Sequence, residues 1–101
     1  MAQTWIGLVL LKPLEGNYTL EDAKGAYVNT LAWATGEQDF VDQVEAIFSS
    51  LGFEVEEIEA LEPFDARRQK ADVPDDLNQL ADEVEKTKEA RFGVFHAFEE
   101  E

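Results

Sequence analysis

Hydrophobic side chains recur at helical spacing between residues 36 and 51 and form one apolar stripe. The stripe consists of Phe40, Val41, Val44, Ile47, Phe48 and Leu51. Thr35 and Gln38 fit a capping box, in which each side chain bonds the backbone N–H of the other residue. Gly52 stands where a helix commonly ends in the left-handed conformation, which glycine adopts without steric penalty. The pattern therefore predicts a helix over residues 36–51.

Four other stretches predict β-strands. Residues 4–12 are apolar at both parities, which is typical of a strand buried on both faces in the interior of a sheet. Residues 26–34 have small side chains at one parity and larger ones at the other. Residues 53–62 contain five glutamates, and the break in alternation at Glu56-Glu57 predicts a β-bulge in an edge strand. Residues 90–98 form the last predicted strand.

The remaining segments complete a β-β-α-β-α-β order. Pro74 and the acidic residues after it predict the start of a second helix over 75–88. Residues 64–73 are predicted as a loop, and 14–25 as a connection with one helical turn near 19–22. Because helices join parallel neighbouring strands, we expect a four-stranded mixed sheet with both helices on one face. This is a two-layer α+β sandwich close to ferredoxin-like folds, although their linear order differs.

Such a sandwich leaves one face of the sheet without helices, and the sequence makes that face apolar. With the helices packed on Ile6, Leu8 and Leu10, the open face carries Trp5, Val9, Tyr27, Leu31 and Trp33. A large apolar surface usually marks an interface or a ligand groove. We therefore expect either a homodimer or a protein partner at this face. The alternative is that the connection 14–25 or the C-terminus covers it.

Charge changes this picture. The 101 residues include 23 acidic and eight basic side chains, for a formal net charge of −15, and one domain over 1–101 is expected. The resulting field repels nucleic acids and anionic membranes and favours a basic protein partner. A merely solvated surface, or adaptation to concentrated salt, would produce the same acidity. With no basic leader and no apolar run of about 20 residues, a cytoplasmic protein is expected.

Motifs for catalysis are lacking. The absence of cysteine excludes disulfides, thiolate zinc sites and a cysteine nucleophile. Neither a glycine-rich phosphate loop nor a serine-centred nucleophile motif occurs, so no cofactor and no catalytic residue is predicted. If the second and last strands are neighbours, an apolar pocket with a few polar groups forms, as in small-molecule sites. Its lining would include Tyr27, Asn29, Trp33 and His96.

Basic side chains cluster in the segment after the third strand. Arg67, Arg68 and Lys70 are candidates for contact with an anion. The simpler interpretation is a solvated loop that pairs weakly with surrounding carboxylates.

Two functions follow from the sequence. The first is a small non-enzymatic interaction or regulatory domain that acts through the aromatic sheet face or the acidic surface, for example as an immunity-type inhibitor of a basic toxin. The second is a small dimeric enzyme or small-molecule-binding protein with a pocket near His96 and Trp33. Dimeric α+β barrels are a fold-level analogy for the second function only.

Overall fold

An interior strand, β1, organises the fold. The computed structural model describes residues 2–14, 25–70 and 72–98. In chain order the elements are β1 Gln3–Pro13, β2 Gly25–Ala34, α1 Glu37–Ser50, β3 Phe53–Pro63, α2 Phe64–Lys70, α3 Asp75–Thr87, β4 Arg91–Phe92 and β5 His96–Phe98. The predicted helices 36–51 and 75–88 are confirmed as α1 and α3. The connection 14–25 lies almost entirely outside the described residues, as does its predicted turn.

All strand pairs in the sheet are antiparallel. β1 lies between β3 and β2, while β4 and β5 both pair with the free side of β2. Thr30 lies opposite Phe92, and Tyr27 lies opposite His96. Between these two pairs, β2 has two residues, 28 and 29, whereas the last part of the chain has three, 93–95. The predicted continuous strand 90–98 is therefore broken by a one-residue bulge.

The expected mixed sheet is wrong because α1 does not connect neighbouring strands. After β2, α1 crosses over β1, and β3 then pairs with the side of β1 that β2 does not occupy. β2 and β3 are both antiparallel to β1 and hence parallel to each other, but β1 separates them. A crossover connection between parallel strands was correctly expected. Because β1 lies between these two strands, they do not pair with each other, and every pair that does form is antiparallel.

Helix α1 covers one face of the sheet. Phe40, Val44 and Phe48 are fully buried against Val9 and Val28, which are cross-strand partners. The small side chains Ala32 and Ala34 lie in the same buried cluster. Helix α1 therefore packs on the side of β2 that carries the small side chains, which leave room for a helix.

Helices α2 and α3 cover the opposite face. Leu77, Val84 and Phe64 form a second buried cluster with Ile6 and Leu31, which lie opposite each other in β1 and β2. Since neighbouring residues of a strand point to opposite faces, Ile6 and Val9 lie on different sides. The prediction of both helices on one face is therefore wrong, and helices cover both faces.

The predicted open face combined residues from both sides. Val9 belongs to the α1 side and Leu31 to the α3 side, and neither is exposed. The error came from pairing the two strands in the wrong phase, which moves a whole set of side chains to the other face. None of the helices in the described ranges is both long enough and apolar enough to cross a lipid bilayer.

Gly7 allows α1 to pack closely on the sheet. A Cβ atom there would lie 2.9 Å from Cγ2 of Ile58 and 3.2 Å from Cε1 of Phe40. Real Cβ contacts are rarely that short, so a side chain at this position would push the helix or β3 away. The glycine is required by close approach at the centre of the sheet.

The ends of α1 differ in part from the prediction. Gly36, not Thr35, is the N-cap residue, and the Thr35–Gln38 capping box is not formed. Instead the carboxylate of Asp39 accepts hydrogen bonds from the Thr35 N–H at 2.9 Å and the Thr35 hydroxyl at 3.2 Å. The backbone N–H of Thr35, followed by the Gln43 side chain, lowers the pKa of Asp39 below its ordinary value. Gly52 has φ 88, which confirms the left-handed ending.

Candidate functional site

Helix α1 and edge strand β3 are rich in acidic residues and contain no basic one. α1 contains Glu37, Asp39, Asp42 and Glu45, and β3 contains Glu54, Glu56, Glu57, Glu59 and Glu62. The two elements pack together, because Val55, Ile58 and Leu61 of β3 lie against the cluster that holds the buried side chains of α1. We call the exposed members of this set the acidic edge: Glu37, Asp42, Glu45, Glu54, Glu56, Glu57 and Glu59.

A groove of about 290 Å³ runs between α1 and β3 within the acidic edge. Its apolar lining comes from Val41, Val55 and Ile58, all half-buried. Glu45, Glu56 and Glu57, all exposed, are the other residues that line it.

A β-bulge in β3 lies at two adjacent glutamates. Leu10 pairs with Glu57 and Leu11 with Val55, so Glu56 is the extra residue. The predicted bulge at Glu56-Glu57 is confirmed. In a regular strand, successive side chains point to opposite faces. The bulge breaks this alternation. Val55 and Ile58, opposite Leu11 and Val9, lie on the α1 face of the sheet, whereas Glu57, opposite Leu10, lies on the other face.

Within the described residues, no lysine or arginine lies within 4 Å of a carboxylate of the acidic edge. Glu62, at the end of the same strand, behaves differently. Its Oε2 lies 2.5 Å from Nε of Arg67, and its Oε1 contacts Nζ of Lys70. These two cations, Lys70 first, hold the pKa of Glu62 below its ordinary value. Within β3, Glu62 is therefore paired with basic side chains, whereas the other four glutamates of the strand have no basic partner within 4 Å among the described residues.

The segment predicted as a loop over 64–73 contains helix α2. Pro63 ends the strand, Phe64 is buried, and the order of charges follows the helix dipole, with Asp65 in the first turn and basic residues in the last. The helix directs Arg67 and Lys70 toward Glu62, while Arg67 also donates to the Ala60 carbonyl at 2.9 Å.

Arg68, the third anion-contact candidate, points elsewhere. It lies 4.5 Å above the ring of Phe64 and donates to Oδ1 of Asn78 at 3.1 Å. The structure brings Arg67 and Lys70 together and separates Arg68 from them.

A second cleft, of about 150 Å³, lies beside Trp33. Its walls are Gln3, Thr4, Trp33, Phe64, Asp65, Arg68, Ala81 and Glu85. Both aromatic rings in the cleft make cation–π contacts within the chain. Nζ of Lys88 lies 3.6 Å from the centre of the Trp33 ring, and the guanidinium of Arg68 lies over the Phe64 ring. Arg68 also lies 3.7 Å from Asp65. Charges in this cleft are largely compensated within the chain.

The other predicted binding residues are spread along β2. His96 is exposed and pairs with Tyr27, and the Asn29 carbonyl accepts the Gly93 N–H at 2.9 Å. Trp33 lies six residues beyond Tyr27, a distance of roughly 20 Å along a strand, with buried Leu31 between them. The structure thus brings His96 and Tyr27 together and places Trp33 in the separate cleft.

Trp5 is half-buried and packs beside the α1 cluster. Its indole N–H is buried without a hydrogen-bond partner among the described residues. This position places Trp5 on the opposite face of the sheet from Tyr27 and Trp33, because its partner in β2 is Ala32.

Comparison of the chain with protein-family models, with curated proteins and with solved structures finds no match. The described residues also contain no group of three or more His, Asp or Glu side chains placed to hold a metal ion. The groove was not predicted from the sequence, although one signal was present: residues 37–62 contain nine acidic residues and no basic one.

Proposed function

We propose that this protein is a non-enzymatic interaction domain that binds a basic protein partner through the acidic edge. One observation carries the proposal. α1 and β3 together hold nine acidic residues and no basic one, whereas six of the eight basic residues lie between Phe64 and Phe92. The charge is therefore unevenly distributed over the molecule, since these two adjacent elements carry acidic residues without any basic one.

Electrostatics explains why this distribution favours a basic partner. Carboxylates without counter-charges on one surface produce a local negative potential, which attracts a positively charged protein and speeds its association. Self-association through the acidic edge would bring like charges together and is disfavoured. An immunity-type inhibitor of a basic toxin is one role that such a surface serves.

The Trp33 cleft supports small-molecule binding less well than the acidic edge supports protein binding. Pockets for drug-sized ligands span about 300–1,000 Å³, and this cleft of about 150 Å³ is smaller. Trp33, Phe64, Asp65 and Arg68 in its walls also have partners within the chain.

Two variants with equal net charge test the proposal. One neutralises the acidic edge through Asp42→Asn, Glu45→Gln, Glu56→Gln and Glu57→Gln, and its control neutralises exposed residues at and near α3 through Asp72→Asn, Asp76→Asn, Asp82→Asn and Glu85→Gln. Binding of fluorescent octa-arginine is measured by anisotropy at low salt. Loss of four exposed ion pairs predicts about tenfold weaker binding for the first variant and less than about twofold for the control.

The proposal fails if both variants weaken binding equally, because net charge alone would then account for it. It also fails if the unaltered protein does not bind the peptide at low ionic strength. Circular dichroism of each variant verifies that the fold is retained, as expected for substitutions of exposed side chains.

A further inference from the structure

We infer that two copies of this chain associate weakly through an uncharged apolar patch at the C-terminal end of α1. Among the described residues, four large hydrophobic side chains are exposed: Leu14 by 44%, Leu51 by 47%, Phe92 by 38% and Val94 by 74%. We call these four residues the neutral patch. They lie around one cluster of aromatic rings, so the exposed apolar surface is concentrated in one place.

Ring contacts join the parts of the chain that carry the neutral patch. The ring centre of Phe92 lies 5.3 Å from that of Phe48, and the ring centre of Phe95 lies 5.5 Å from that of Phe53. Phe48 and Phe53 are buried on either side of Leu51 in the chain, and the Leu51 N–H donates to the Phe48 carbonyl at 3.1 Å. The end of α1 and the segment after β4 therefore share one aromatic base.

Leu14 and Val94 extend the patch beyond these rings. The backbone N–H of Leu14 donates to the Gly52 carbonyl at 2.9 Å, which places Leu14 beside the turn that follows α1. Val94 directly precedes Phe95, whose half-buried ring contacts both Phe53 and Phe92. The outer side chains thus surround a base that is already packed.

The neutral patch also stands out by its lack of charge. The chain has four runs of seven or more residues without Asp, Glu, Lys or Arg, at 1–11, 25–36, 46–53 and 92–98. The first two contain β1 and β2, which have strands on both sides within the sheet. Burial explains the composition of those two runs. It does not explain exposed residues such as Ser50, Leu51 and Val94 in the other two.

This lack of charge favours a second copy as the occupant. In a twofold symmetric dimer the same patch lies on both sides of the interface, so a charge near the axis meets its own sign. In a protein with a formal net charge of −15, contact through most surfaces brings carboxylates together. The neutral patch avoids that repulsion. A basic partner gains no electrostatic attraction there and is drawn to the acidic edge instead.

The size of the neutral patch indicates a weak dimer. The four exposed fractions correspond to about two whole side chains, or on the order of 350 Å² of apolar surface. A standard interface buries about 800 Å² on each partner. The exposed and uncharged Ser49 and Ser50 add contact area beside Leu51. We therefore expect a dimer Kd on the order of 100 µM at low salt.

Sedimentation equilibrium of the intact chain tests the inference, with protein from about 10 µM to about 1 mM. The apparent mass should rise from that of a monomer toward that of a dimer. The Kd should fall about fivefold between about 0.05 M and about 0.5 M NaCl, because salt screens repulsion between two negative copies. Salt should weaken octa-arginine binding, so this inference and the proposed function can fail separately.

A pair of double variants with unchanged net charge locates the interface. Leu51→Gln/Val94→Gln removes apolar surface from the neutral patch, while Val41→Gln/Val55→Gln removes it from the groove between α1 and β3. The first variant should raise the dimer Kd at least about tenfold, because each position occurs twice in the dimer. The control should change it less than about twofold, and circular dichroism verifies that both variants are folded.

A monomer over the whole concentration range at both salt concentrations would overturn the inference. A dimer that weakens as salt is added would overturn it as well, since opposite charges would then hold the copies together. Equal weakening by the two double variants would place the interface elsewhere and would also contradict it. The first two results need no variant, so they decide even where a variant fails to fold.

Discussion

At the scale of single residues, Ala60 is the most constrained position in β3. It has φ 52, in the left-handed region, where an L-residue other than glycine is strained by about 1–2 kcal/mol. Ile6 pairs with Glu62 and Leu8 with Glu59, so Ala60 and Leu61 both face Gly7. A second bulge therefore occurs here, one that the sequence pattern did not reveal because alanine does not signal a left-handed turn.

Replacing Ala60 by glycine should stabilise the protein. Glycine removes the left-handed strain and adds chain entropy to the unfolded state, and the difference between the two effects is about 0.5–1 kcal/mol in favour of folding. Ala46→Gly in the exposed middle of α1 is the matched control and should destabilise by about 1 kcal/mol. Urea unfolding measures both. A loss of stability for Ala60→Gly would show that strain at this bulge is not significant.

The start of α1 shows how far local patterns determine residue contacts. The sequence identified the helix and its glycine ending, but it placed the cap at Thr35 and Gln38. With Gly36 as the N-cap, Asp39 becomes the third helical residue and takes the acceptor role predicted for Gln38. A shift of one residue in the cap exchanges the partners, and such shifts lie within the usual uncertainty of helix boundaries.

At the scale of elements, Glu62 joins the end of β3 to helix α2. Arg67 and Lys70, both from α2, bind its carboxylate, whose side chain is only 14% exposed. Their charges lower the pKa of Glu62 from its ordinary value of 4.5. A carboxyl group with a lowered folded-state pKa stabilises the fold above the ordinary pKa, and this contribution is lost as the pH falls through the lowered value.

Glu62→Gln should therefore lower the free energy of unfolding at neutral pH. The difference from the unaltered protein should shrink as the pH falls below 4.5, because Glu62 itself becomes neutral. Chemical unfolding at neutral pH and in acid measures this. Glu59→Gln is the control, since Glu59 is exposed and has no basic partner within 4 Å among the described residues. A pH-independent difference for Glu62→Gln would contradict the ion pair's role.

Element types were easier to predict than their arrangement. Periodicity located α1, α3 and the three long strands, because each buries an apolar face of its own. It missed α2, because only one of its seven residues, Phe64, is fully buried. The strand order depends on which strand α1 crosses, and nothing local to α1 specifies this. The groove could not be predicted for the same reason, since it needs α1 beside β3 and the bulge in register.

At the scale of the whole molecule, the separation of charge matters more than its total. Arg67, Arg68 and Lys70 of α2, and Lys88 after α3, have acidic, amide or aromatic partners in their own neighbourhood: Glu62, Asp65, Asn78, Phe64 and Trp33. The acidic edge has no such partners among the described residues. A solvated surface alone does not require this separation, whereas an interface for a basic protein does.

Amide NMR of the unaltered protein during titration with octa-arginine tests the central claim most directly. We predict that shifts concentrate in residues 37–50 and 53–63 and diminish as salt is added. Shifts concentrated in α3 or at the glutamates 99–101, or spread evenly over the acidic residues of the chain, would contradict it.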